Sequence, residues 1–193
     1  PLLLNAVTVV GEASTRVAQD WLRHAEGPRQ LHAAILAYLA DLSRKDLDEK
    51  DAEALSALLQ AADHLENIVD TLTVNIALLG QERREQGLEL HPETMAGFQD
   101  LAEFIGGTVE LSAACLDSLD VEAAKAILDR KDETYRKADT VGRRLARRMI
   151  ADAPQRLATY RLESDLLDNL RRVSWSARRV ARVVVEHGAV IGP

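Results

Sequence analysis

Aromatic residues make up only 4% of this 193-residue chain, and glycine and proline are sparse at ten and five. Sheets draw on aromatic and β-branched residues joined by glycine- and proline-bearing turns, so the scarcity favours helices packed through Leu, Ile, Val and Ala. The one cysteine, Cys115, excludes an internal disulfide; with Leu111 and Leu119 at helical spacing it reads as a core position in a reducing compartment. No run of about 18 apolar residues exists, because 1–10 is too short and 183–191 is interrupted by Glu186 and His187, so nothing here reads as a membrane span. There is also no Ser-His-Asp grouping, nucleophile elbow, phosphate-binding glycine loop, zinc signature or Glu-x-x-His pair, and the five histidines are scattered. These absences point to a binding module rather than an enzyme.

What is present is helical patterning. The stretch 48–85 contains no proline, and no glycine before Gly80. Its apolar residues Leu55, Leu58, Leu59, Ala62, Leu65, Ile68, Val69, Leu72, Ile76 and Leu79 alternate by three and four, as one face of an α-helix does. At 1.5 Å per residue such a helix reaches about 55 Å, a length suited to an extended bundle. Around it the periodicity predicts helices over 2–24, 30–44, 92–119, 121–151 and 155–186, with Gly27-Pro28 closing the first and opening the second. Asp46 or Asp48 and Asp120 stand as N-caps, and Pro28 and Pro92 as first-turn prolines. Gly106-Gly107 inside the fourth helix predicts a kink or a close helix crossing, since two helical glycines cost about 1 kcal/mol each relative to alanine. The clearest break, 86–92, divides the chain into 1–87 and 92–193. The chain starts with proline, and is expected to be cut from a longer protein.

The fold class that follows is all-α, two antiparallel three-helix bundles. They form a degenerate repeat: shifting the third helix by 105 residues lays Ala62 on Leu167, Leu65 on Leu170, Ile68 on Val173 and Leu72 on Ala177. In that register Glu66 falls on Arg171 and Asp70 on Trp175.

Charge separates the halves. Residues 1–130 carry 10 Lys+Arg against 23 Asp+Glu, whereas 131–193 carry 14 against 8, so the halves attract each other. A chain of net charge −7 is a poor general binder of nucleic acid. Asp63, Glu66 and Asp70, at i, i+3 and i+7 along the edge of the packing face, are candidate ligands for a divalent or iron-type metal, because carboxylates one helical turn apart can share a cation. The same row could instead pair with the arginines of the fifth helix, Arg143, Arg144, Arg147 and Arg148, or of the sixth. In the sixth, Arg171, Arg172, Arg178 and Arg179, with Arg182 beyond them, form a candidate face for a partner or an anion, such as lipid headgroups or the loops of a transporter. Trp175, among them, reads as core or inter-bundle packing.

Leu65-Glu66-Asn67-Ile68-Val69-Asp70, followed by Asn75-Ile76-Ala77, resembles the E-x-x-x-D signature of the PhoU family. The resemblance implies two related three-helix bundles, metal clusters bound through two such signatures, and modulation of phosphate uptake. The second half departs from that pattern. Leu166-Leu167-Asp168-Asn169-Leu170-Arg171-Arg172-Val173 and Lys131-Asp132-Glu133-Thr134-Tyr135-Arg136 are instead similar to the PhoU-like cytosolic domain attached to bacterial sodium/phosphate cotransporters. That implies a regulatory, cytoplasmic domain of a membrane protein whose partner is the transmembrane portion of the same protein, with a homo-oligomer as a further expectation.

Overall fold

The computed structural model of the protein describes residues 2–11, 15–150 and 155–192, and the side chains of all of these but 2, 4, 9 and 15–25. Among the described residues the chain is all-α. The helices are α1 (Leu2–Gly11), α2 (Thr15–Leu42), α3 (Glu49–Asp70), a π-helical turn (Thr71–Asn75), α4 (Ile76–Gln86), α5 (Pro92–Ser118), α6 (Val121–Asp129), α7 (Lys131–Met149) and α8 (Arg156–Ile191).

Local chemistry accounts for four of the ends. Asp48 caps α3, its Oδ1 accepting from the Asp51 amide at 2.8 Å, and Asp120 caps α6 by accepting from the Ala123 amide at 3.0 Å. His91 Nδ1 does the same for the Glu93 amide, with Pro92 in the first turn of α5. Gly87, at φ 62°, ends α4 in the left-handed conformation that glycine adopts without a Cβ clash.

Three expectations are corrected. The chain does not break at Gly27-Pro28: α2 runs through Pro28. Proline removes one hydrogen bond from a helix but its fixed φ is helical, and the packing of α2 against α3 carries the helix across. The break lies earlier, where α1 ends at Gly11; Ala13 of the expected first stripe lies outside the described residues. The segment 121–151 is two helices, split at Arg130 (ψ −5°). Arg130 reaches back to α5, its Nε donating to Thr108 Oγ1 at 2.8 Å and its Nη2 to the Phe104 carbonyl at 3.1 Å, with the guanidinium 4.1 Å from the centre of the Phe104 ring. The expected stop at 152–154 lies outside the described residues. Lastly, 48–85 is not one regular helix, because the π turn widens it directly after Asp70. Here Thr71 and Thr73 turn their hydroxyls onto the carbonyls of Asn67 (2.7 Å) and Val69 (2.8 Å), a back-bonding habit that bends helices.

The helix with the longest buried stripe is α8. From Leu162 to Gly188 it packs against α3, α5, α6 and α7. Glu53 meets His187, Ala57 and Ala61 pack with Val183, and His64 meets Trp175, so α3 and α8, the two repeat-related helices, lie antiparallel. One continuous core takes Leu3, Val7 and Val10 from α1, Ile76 and Leu79 from α4, Phe98, Leu101 and Ile105 from α5, Val141 and Leu145 from α7, and Leu166, Leu170 and Val173 from α8. Each such side chain contributes about 1.5–3 kcal/mol by leaving water. Cys115 is buried, as its spacing predicts. At Gly106 a Cβ would stand 3.8 Å from that of Leu3, so α1 crosses α5 there at ordinary contact distance.

Candidate functional site

The acidic row lies on the face of α3 turned toward α2. Asp63 is exposed, while Glu66 and Asp70 are half-buried. Their partners come from α2, not from the arginine rows. Arg29 clasps Asp70, with Nε 3.3 Å and Nη2 3.1 Å from Oδ1, and His32 Nδ1 stands 3.1 Å from Glu66 Oε1. Ligand atoms of His32, Asp63 and Glu66 lie within 4.8 Å of one another. The opposite nitrogen of His32, Nε2, is buried and finds no hydrogen bond among the described residues. Beside them Pro28, Leu31, Ile35, Ala62 and Leu65 wall an apolar hollow of about 120 Å³, which lowers the local dielectric and strengthens charge interactions at its rim. The donor set of one imidazole and two carboxylates suits a single divalent cation of borderline softness. Asp70, held by Arg29, stands apart from that set.

On α3 itself the histidine beside the row is His64. His32 is the one that approaches the carboxylates, and it went unseen because the contact is between two helices and because a break was expected at Pro28. His64 turns toward α8, where its ring and that of Trp175 stand nearly perpendicular, 5.4 Å between centroids. Burial, and then the neighbouring Arg179, hold the His64 imidazole below its ordinary pKa against the opposing pull of Asp63, so it is neutral at neutral pH.

The arginines of α8 gather on a cleft facing α7. Arg171 bonds Asp168 at 3.0 Å within its own helix, and Arg178 Nε donates to the Ser174 carbonyl at 3.3 Å. The Arg179 guanidinium lies 5.6 Å from the centre of the Trp175 ring. Trp175 is 50% exposed, so of the two expected places, core or inter-bundle packing, it takes the second: it packs on His64 of α3 and otherwise faces the cleft. Opposite stand Lys131 and Tyr135, one turn apart on α7, with the Lys131 ammonium 5.7 Å from the Tyr135 ring centre. Sequence reasoning did not join these two to the arginines, although their i, i+4 spacing on a helix was legible.

No family model and no curated protein matches the sequence. In three dimensions the chain is similar to the crystal structure of PhoU from Pseudomonas aeruginosa, with a TM-score of 0.84 over 96% of this chain and 88% of that one. The fold is PhoU-like. Sequence identity across the match is 19%, so the likeness shows the architecture alone. Among the described residues of this PhoU-like chain, no helix is long and apolar enough to cross a membrane.

Proposed function

We propose that the chain is the cytosolic regulatory domain of a sodium/phosphate cotransporter, docking on the membrane-embedded portion of the same protein and modulating phosphate transport without catalysing a reaction. The observation that carries this reading is the likeness in fold to PhoU over nearly the whole chain. The stretches 166–173 and 131–136, with their resemblance to the cotransporter domain, narrow it from phosphate-transport regulator to transporter domain. A docked domain shifts transport only if it binds one transporter conformation more tightly than the other. Deleting this domain from the full-length transporter in proteoliposomes with an inward sodium gradient is therefore expected to change phosphate uptake by about fivefold or more. Unchanged rate and half-saturation would overturn the reading.

A second reading, a stand-alone PhoU-like metal-binding regulator of phosphate uptake, is favoured by one observation, the convergence of His32 on Asp63 and Glu66. In that reading these three residues hold one divalent or iron-type ion, and Asp70 joins them only when Arg29 releases it. Elemental analysis after incubation with Mn²⁺, Fe²⁺ or Zn²⁺ and desalting is expected to find about one ion per chain, lost in Glu66→Ala and His32→Ala. Equal metal content in wild type and both variants would exclude the site.

A further inference from the structure

Two adjoining hollows of about 260 and 450 Å³ share Tyr135, Trp175 and Arg178 and together make the cleft between α7 and α8. Six cationic side chains line it, Lys131, Arg171, Arg172, Arg178, Arg179 and Arg182, against one carboxylate, Asp168, already bonded to Arg171. Arg172 and Arg182 have no ion-pair partner among the described residues, and the buried Nε of Arg179 has no acceptor among them. Burial, and to a lesser degree Arg182, pull the Arg178 guanidinium below its ordinary pKa, against the Tyr135 phenol, which pushes it up. Lys131, Arg171, Arg172 and Arg182 are exposed and Arg178 and Arg179 half-buried, and like charges gathered this closely, two of them partly withdrawn from water, repel one another unless an anion offsets them.

From this arrangement the geometry points to a binding site for an elongated small anion carrying two or more phosphate groups, held by the arginine row of α8 and by Lys131, and flanked by the rings of Tyr135 and Trp175. Three features select this chemistry. Guanidinium forks match phosphate oxygens two at a time. Arg171 and Arg182 are eleven residues apart on one helix, about 16 Å along its axis, so a chain of two or three phosphates lying along the row meets more guanidinium groups than a single orthophosphate does. And the two rings, each about half exposed, stand where a planar group attached to the phosphates could stack. A flat lipid surface fits less well, because Arg178 and Arg179 are half-buried in the wall of a cleft rather than projecting from it. The internal repeat places this site where the first half carries Glu66 and Asp70, so one half presents carboxylates and the other cations at related positions. The assignment goes beyond the transporter reading and stands without it, since it concerns what this chain binds on its own.

The test is calorimetric titration and thermal melting of the purified chain at about 0.15 M salt with orthophosphate, pyrophosphate and ATP. Pyrophosphate or ATP is expected to saturate below about 1 mM and to raise the melting temperature, with orthophosphate at least about tenfold weaker. Tighter binding of ATP than of pyrophosphate would place a base on the rings; equal binding would leave the phosphates alone responsible, and either supports the site. The double variant Arg172→Gln, Arg179→Gln is expected to weaken binding about tenfold or more while melting no lower than wild type without ligand, because it relieves repulsion. If that variant fails to fold, Trp21→Phe keeps every cleft residue and leaves Trp175 as the single tryptophan, whose fluorescence then reports saturation directly. No saturation by pyrophosphate or ATP, undiminished affinity in a folded double variant, or binding to phosphatidylglycerol vesicles that neither soluble anion competes would each overturn the proposal.

Discussion

Replacing Arg156 with methionine is expected to destabilise the protein by about 3–5 kcal/mol at neutral pH, measured by urea unfolding. Arg156 opens α8 and is itself buried, as is Glu163 two turns on. Its Nη2 reaches Glu163 Oε2 at 3.1 Å and the Leu145 carbonyl at 3.4 Å, and its Nε reaches the Arg148 carbonyl at 2.9 Å. The Arg148 carbonyl belongs to the last turn of α7, where helix carbonyls lack intrahelical i+4 donors, and that of Leu145 to the turn before it, so one side chain both neutralises a buried carboxylate and caps the preceding helix. The two roles separate in the double variant Arg156→Met, Glu163→Leu. Removing the orphaned charge should restore most of the loss, leaving about 0.5–1.5 kcal/mol for each unmade hydrogen bond. A double variant as unstable as the single one would show that capping alone matters.

The same pair sets a pH dependence. Burial raises the Glu163 pKa, and Arg156, by its charge and its hydrogen bond, and Arg148 pull it back only in part. Oε1, the second carboxylate oxygen, has no hydrogen-bond partner among the described residues, consistent with a net preference for the proton. A carboxyl that holds its proton more tightly in the native state than in the unfolded one contributes stability that is fully present below the unfolded pKa and is lost as pH rises through the native one. The window therefore opens at the ordinary glutamate value and extends upward toward the raised native one. Across it, stability should fall with rising pH in the wild type, and Glu163→Gln should flatten that slope. The penalty of Arg156→Met should also shrink toward acid, because the stranded carboxylate can then take a proton. A pH-independent penalty would sink the charge argument.

How much of this was legible in the sequence depends on the range of the interaction. Asp48, Asp120 and Pro92 mark helix starts because the atoms they satisfy lie within a few residues. The apolar stripes of 48–85 and 155–186 mark buried faces because the helical period is local as well. What was not legible came from contacts between helices. Pro28 looks like a boundary by its own chemistry, and only the packing of α2 on α3 overrides it. Arg130 looks like an ordinary helix residue until Phe104 and Thr108, more than twenty positions earlier, take its guanidinium. The π turn follows no pattern in Thr71–Asn75 that a regular helix would not also show. For the candidate sites, residue types on one helix were readable, so Glu66, Asp70 and the α8 arginines stand out. Their neighbours His32, Arg29, Lys131 and Tyr135 come from other helices, and although the i, i+4 spacing of Lys131 and Tyr135 was legible, nothing local says which helix they face.

Phe98→Ala is expected to cost about 3–5 kcal/mol, the range for deleting a fully buried aromatic ring. Phe98 has no exposed surface and packs in the core with Leu101 and Ile105 of its own helix and with α7 and α8. The other phenylalanine, Phe104, is half-buried and serves as a platform for cations, with Arg130 4.1 Å and Lys137 5.6 Å from its ring centre. Phe104→Ala should cost less, about 0.5–2 kcal/mol, because such contacts near solvent are weaker and the Arg130 bonds to the Phe104 carbonyl and Thr108 survive the change. Equal losses would mean that the core around Phe98 relaxes to fill the cavity. The pair also probes α8. Leu170 and Val173, in the same core as Phe98, bracket Arg171 and Arg172 on the opposite side of the helix. A cavity that leaves α8 in place should leave pyrophosphate affinity within about twofold of wild type. A larger change would mean that the core, by fixing the position of α8, fixes the spacing of the arginines across the cleft.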